Sequence, residues 1–199
     1  MKIMHIEAVK KEKINFQALE ELEKILPPII YIAYSIQYKN LALELKSKIK
    51  KKIAGFSQVL GCSKLKTNFP ILLLSSGRFH ALNLALQGNK VYIFDNFSLK
   101  EIDNKEIESI KKREKAKYLR LLSSDNIGII VSAKYGQENL SKAEKIKKQL
   151  EKKNKKVFLF LSDNINPSEL ENFSCDIFVN TACPGLMLDS NKIINQNIF

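Results

Sequence analysis

Short apolar runs alternate with longer amphipathic stretches along this chain, and the whole alternation occurs twice. Ile29–Tyr34, a β-branched and aromatic run behind the Pro27-Pro28 stop, reads as a buried strand. Tyr38–Ile53 follows with Leu41, Leu45, Ile49 and Ile53 at spacings of four, an apolar stripe on a lysine-rich helix. A loop ending in Gly61-Cys62 leads to a strand at Ile71–Leu74, a helix at Phe79–Leu86 and a strand at Val91–Asp95. Asn104–Leu122 is a long charged helix with Ile107, Ile110 and Leu119 as its inward side, connecting the halves. The pattern then restarts, with strands at Ile127–Val131, Val157–Leu161 and Asp176–Asn180. Between them lie a helix at Leu140–Lys153, with Ala143, Ile146 and Leu150 inward, and a short one at Pro167–Leu170.

Strands separated by helices need crossover connections, which make sheets mostly parallel with helices on both faces. The expected fold is therefore α/β, two similar three-layer domains spanning 1–103 and 104–199. Ligands of such sheets bind beyond the carboxyl ends of the strands. A chain of 199 residues, 27% charged and 45% hydrophobic, accommodates two small cores and excludes fibrous or disordered classes.

Three cysteines are too few for a disulfide scaffold. Cys62 and Cys183 both stand in loops beside a glycine or proline, one in each half, and are candidate metal ligands in matched places. Cys175 enters the strand whose exit leads to Cys183, roughly 20 Å or more of extended chain away, so the two cannot share one site. It reads as a packed thiol. Two thiolates are fewer than a zinc or iron–sulfur site takes.

Ser75-Ser76-Gly77-Arg78-Phe79-His80 lies between a strand and a helix, where backbone amides favour an anion. It reads either as a turn that uses glycine's freedom or as a pocket for a carboxylate or phosphate, with Arg78 and His80 as donors. Ala133-Lys134-Tyr135-Gly136-Gln137 follows a strand in the second half. Neither segment carries a nucleotide-binding glycine pattern. Gly77, Arg78, Phe79, His80, Gly136 and Gln137 are the candidate cofactor-binding residues, and His5 has no assigned role.

The net charge is +12, from 33 basic and 21 acidic residues, yet only Arg78, Arg113 and Arg120 are arginine. Nucleic-acid recognition favours arginine's planar fork, and the lysines here line helical faces. No direct nucleic acid is expected, and an RNA-binding module is the least favoured class. The amino terminus lacks a secretory apolar core and no segment suits a bilayer, so a cytoplasmic location without membrane contact is expected.

Several segments together resemble the radical enzymes of diphthamide biosynthesis, the archaeal 2-(3-amino-3-carboxypropyl)histidine synthases. They are HIEA at 5–8, SQVLGC at 57–62, GRFHALNLAL at 77–86, FD at 94–95, IGIIVSAKYGQ at 127–137, SDNINPSELENF at 162–173 and DIFVNTACP at 176–184. The resemblance covers nearly the whole chain. It implies the last two of three similar α/β domains, each giving one cysteine to a 4Fe-4S cluster in a dimeric enzyme. By that resemblance Cys62 and Cys183 are the second- and third-domain ligands. It further implies that S-adenosylmethionine is cleaved to a 3-amino-3-carboxypropyl radical, and that this group is added to a histidine of translation elongation factor 2. Two residues depart from the pattern: Gly185 stands where an arginine follows Cys-Pro, and Asn96 where a proline follows the aspartate. Nothing matches the first domain. The third ligand is expected from a separately encoded first-domain chain, unless the chain is a truncated product, and the partner state is a homodimer or that complex. The competing reading is a non-catalytic scaffold or recruitment subunit of the same pathway, without a functional cluster.

Overall fold

The computed structural model describes residues 6–134 and 136–196. By its contacts the chain divides into two compact units, Met1–Ile107 and Glu108–Phe199, and the division falls inside a helix. The fold is α/β with mostly parallel sheets, as the alternation implies.

The first unit runs α1 (Phe16–Ile25), β1 (Ile29–Tyr34), a 3-10 turn at Ile36–Tyr38, α2 (Lys39–Lys48), β2 (Lys52–Gln58), β3 (Ile71–Leu74), α3 (Arg78–Leu86), β4 (Val91–Phe94) and β5 (Leu99–Glu101). Its sheet has the order β2-β1-β3-β4-β5, parallel except for the β4–β5 pair. β3 shows why both faces are covered. Leu72 and Leu74 pack with Leu22 of α1 and Leu45 of α2, while Ile71 and Leu73 pack with Ala81 and Leu84 of α3. All four β3 side chains are buried, as expected of a central parallel strand.

The helix α4 (Asn104–Ser123) leads into the second unit, which contains β6 (Asn126–Ser132), α5 (Leu140–Glu151), β7 (Lys156–Ser162), α6 (Pro167–Leu170), β8 (Ile177–Asn180), α7 (Leu186–Asp189) and β9 (Ile193–Asn195). This sheet is wholly parallel in the order β7-β6-β8-β9. Ile127, Ile129 and Val131 of β6 pack with α5, and Ile130 faces the layer that holds Leu170, Cys175, Phe178 and Met187. Apart from the antiparallel β5, the two sheets have one topology: β6, β7, β8 and β9 repeat β1, β2, β3 and β4.

Three expectations change. The helix expected over Tyr38–Ile53 ends at Lys48, and Lys52–Gln58 is the strand β2. Ile49 remains buried but is extended, with ψ 135°, so the spacing of four at Ile53 is coincidental. β2 lies at the sheet edge, and its polar outer positions carry no apolar run to announce a strand. On α4, Leu119 points to solvent at 62% exposure, and Leu121 and Lys117 take its place. At about 100° per residue, positions 117 and 121 fall within about 20° of Ile110, whereas 119 falls on the opposite face.

The third change concerns the cysteines. Cys62 lies on the crossover that leaves β2, and Cys183 on the connection that leaves β8, the repeat of β3. They are not in matched places. The segment matching Cys183 by topology is Ser75–Gly77, and the one matching Cys62 follows β7.

Candidate functional site

In doubly wound sheets the crevice opens where connections leave neighbouring strands in opposite directions. That point lies between β1 and β3 in one unit and between β6 and β8 in the other. The candidate residues sit at the carboxyl ends around these points.

In the first unit Cys62 is exposed at the tip of a tight turn. The Ser63 amide donates to the Leu60 carbonyl at 3.0 Å and the Leu60 amide donates to Ser63 Oγ at 2.8 Å, with Gly61 and Cys62 in the middle. Gly61 packs on the Phe79 ring so closely that a Cβ would come within 2.0 Å of it. The structure thus joins two segments that are far apart in sequence: Phe79 is a platform for the Cys62 turn, and its ring also meets His80 edge-on at 5.7 Å. Partial burial lowers the pKa of His80 below its usual value, favouring the neutral imidazole. Gly77 precedes α3 with an open face, since a Cβ there would meet nothing within 4 Å, and its amide donates to Ser75 Oγ at 3.3 Å. Arg78, the first residue of α3, is exposed and paired with Glu106.

A cleft of about 290 Å³ opens between the entry of α3 and the β4–β5 connection, lined by Ser75, Arg78, Asp95, Ser98 and Lys100. The sequence marks Asp95 only as a strand end and as part of the Phe94-Asp95 segment. It closes the β4–β5 connection: Asp95 Oδ1 accepts from the amides of Phe97 at 3.0 Å and Ser98 at 2.8 Å and from Ser98 Oγ at 3.2 Å. Burial pushes the Asp95 carboxyl up, but these donors outweigh it, and its pKa lies below the ordinary value of 3.8. The stability this confers is present above that value and lost as pH falls through the depressed one. Urea unfolding of Asp95→Asn against the parent is therefore expected to show a gap that closes on acidification; a gap constant with pH would contradict it.

Asn96, one of the two departures, has φ 80°, which proline's ring forbids. It is buried. Its Oδ1 accepts from the Asn15 amide and its Nδ2 donates to the Lys13 carbonyl, each at 3.0 Å, tying the entry of α1 to the sheet. The departure from proline therefore carries a structural role. Gly185 is helical, with φ −64° and ψ −28°, so its backbone does not require glycine.

In the second unit Cys183 is half-buried just beyond β8. Gly136 and Gln137 follow β6. The Gln137 amide donates to the Lys134 carbonyl at 3.0 Å, and Gly136 has φ 78°, the conformation a turn of this kind reserves for glycine at its third position. Tyr135 and His5 lie outside the described residues. Cys175 is buried against Phe178 and Leu170, and burial raises its thiol pKa. A protonated thiol in a core is a poor metal ligand.

Among the described residues no three His, Cys, Asp or Glu side chains gather into a metal site. An exposed turn-tip thiol and a half-buried thiol beside a strand end are soft donors suited to iron–sulfur binding. Cys62 and Cys183 each fit a ligand's role by their exposure and chemistry, and Cys175 does not. No helix among the described residues is long and apolar enough to cross a membrane.

Each of the two α/β units, which share one topology, carries a cysteine just beyond a strand's carboxyl end. The chain belongs to the family described as "Putative diphthamide synthesis protein", whose model it matches over residues 1–194. It is 32% identical over 176 residues to the 2-(3-amino-3-carboxypropyl)histidine synthase of Methanocaldococcus jannaschii, covering 85% of this chain and 49% of that protein. To the enzyme of the same name from Pyrococcus horikoshii it is 30% identical over 141 residues, 69% of this chain and 41% of the other. The chain spans about half the length of the curated relatives it matches. Among solved structures, Dph2 from Pyrococcus horikoshii is similar with a TM-score of 0.74 and 28% identity, over 90% of this chain and 59% of that one. The same protein with a 4Fe-4S cluster gives a TM-score of 0.73.

Proposed function

We propose that this chain supplies two cysteine-bearing units of a transferase acting in the cytoplasm. The enzyme moves the 3-amino-3-carboxypropyl group of S-adenosylmethionine to a histidine of translation elongation factor 2, the first step of diphthamide synthesis. The observation that carries this reading is the placement of Cys62 and Cys183 at strand carboxyl ends in two units whose fold matches that of Dph2, a protein solved with a 4Fe-4S cluster.

Cys62 and Cys183 each donate one thiolate, and a third comes from a separate chain that carries a further α/β unit. When bound, the cluster supplies the electron that breaks a carbon–sulfur bond of S-adenosylmethionine. The protein's own residues hold the substrate. Arg78 offers a guanidinium to the carboxylate of the methionine part, exchanging it for Glu106, and neutral His80 donates a hydrogen bond without adding charge. The open faces at Gly77 and Gly136 let substrate atoms approach the main chain closely, and Gln137 offers a carboxamide at the corresponding mouth of the second sheet.

The test is anaerobic reconstitution with iron and sulfide, alone and with a chain carrying a further α/β unit. Iron content, cleavage of labelled S-adenosylmethionine and transfer of label to elongation factor 2 are then measured. Cluster formation with transfer in the combined sample is expected. A chain that takes up no cluster in either sample, yet still binds elongation factor 2, would point instead to a scaffold, a reading favoured by the absence of a complete ligand set among the described residues.

A further inference from the structure

Each cysteine loop is held by side-chain amides instead of by strand pairing. Residues 59–70 join β2 to β3 without regular structure, and a connection of that length is free to move unless something restrains it. The restraint comes from α3 and the residues just beyond it. Asn83 Nδ2 at 3.3 Å and Gln87 Nε2 at 2.9 Å both donate to the carbonyl of Ser63, the residue after Cys62, while Gln87 Oε1 accepts from the Leu65 amide at 2.9 Å. Asn89 Nδ2 donates to the Leu65 carbonyl at 2.8 Å. Gln87 and Asn89 thus meet the loop's main chain as a neighbouring strand would.

The second unit reaches the same end with different residues. Asn180 Nδ2 donates at 2.7 Å both to the Cys183 carbonyl and to Asn195 Oδ1, and Asn180 Oδ1 accepts from the Ala182 amide at 2.9 Å. Asn195 Nδ2 donates to the Pro184 carbonyl at 3.0 Å, and the nearly buried Lys117 donates to the Met187 carbonyl at 2.6 Å. Asn180 and Asn195 are both buried with partners for their amides, the condition under which such a network rigidifies its surroundings.

We propose that Asn83 and Gln87 in one unit, and Asn180 and Asn195 in the other, are positioning residues that fix the main chain bearing Cys62 and Cys183. The inference rests on the reading of those thiols as cluster ligands, because a ligand set drawn from separate units needs each thiol pre-placed.

The test uses a nitroxide label on the thiol itself. It is attached to Cys62 in a Cys175→Ala, Cys183→Ala chain, and to Cys183 in a Cys62→Ala, Cys175→Ala chain. Gln87→Met, which keeps the side chain's length without its amide, is expected to shorten the rotational correlation time at Cys62 by roughly threefold or more, with the thermal midpoint little moved. Gln87→Glu keeps the acceptor for Leu65 and is expected to fall between. Asn195→Asp, which keeps an acceptor for Asn180 and loses the donor to Pro184, is expected to loosen the label on Cys183 alone. Spectra unchanged in folded variants would overturn the proposal. In the unlabelled chain Gln87→Met is expected to retain roughly tenfold less iron after reconstitution. If the parent chain takes up no iron either alone or with a chain carrying the further unit, the cluster reading fails while the label still decides the clamps.

Discussion

A chain with serine in place of Cys183 is expected to retain only background iron after anaerobic reconstitution with its complementary unit, and to cleave no S-adenosylmethionine. Cys62→Ser is expected to do the same, and Cys175→Ala to leave both unchanged. The contrast follows from placement. Cys62 stands exposed on its turn and Cys183 half-buried at its strand end, whereas Cys175 packs in a core that raises its pKa. A hydroxyl is a far poorer ligand for iron than a thiolate, and the proposed set of three cysteines has no spare donor. Iron and sulfide per chain, together with the electron paramagnetic resonance of the reduced sample, measure it. Full iron retention in Cys183→Ser would remove that residue from the ligand set.

The second large effect is on stability. Gly128 of β6 packs under two rings, and a Cβ there would come within 2.3 Å of Phe178 and 2.9 Å of Phe160. Phe178 is fully buried and meets Phe160 edge-on at 5.4 Å. Phe178→Ala is expected to cost the second unit about 3–5 kcal/mol through lost burial and the cavity left behind. Gly128→Ala is expected to cost about 1–3 kcal/mol through overpacking. Each kcal/mol moves the thermal midpoint by about 4–8 °C in a unit of this size. Because the two positions touch, Gly128→Ala combined with Phe178→Leu is expected to cost less than the sum of the single changes, by about 0.5–3 kcal/mol. Strict additivity in calorimetry would show that the ring and the glycine do not share this space.

What the residues disclosed, and what they hid, follows from the kind of element. Ile71–Leu74 and Pro167–Leu170 were legible to the residue, one because a doubly buried strand is a continuous apolar run, the other because proline and Asn166 mark a helix start. β2 was not, because an edge strand exposes polar side chains, and Lys52–Gln58 stands behind a run of lysines. That one omission altered the reading of the site. Without β2, Cys62 stands in a loop with no strand before it, and its match to Cys183 rests on the neighbouring glycine or proline alone; with β2 in place the two cysteines leave different strands. The clamping amides were hidden for another reason. Asn83 and Gln87 occupy positions that an amphipathic pattern treats as solvated, and only the path of the 59–70 loop shows what they hold. Asn180 did carry a signal, a carboxamide closing an otherwise apolar strand.

The shared strand order has a historical consequence. Had one ancestral unit been copied with a cysteine already in it, the two copies would carry the thiol beyond the same strand. Cys62 leaves β2 and Cys183 leaves the counterpart of β3. A copied scaffold thus accounts for the shared strand order and not for the position of either thiol, which is set by a different loop in each unit.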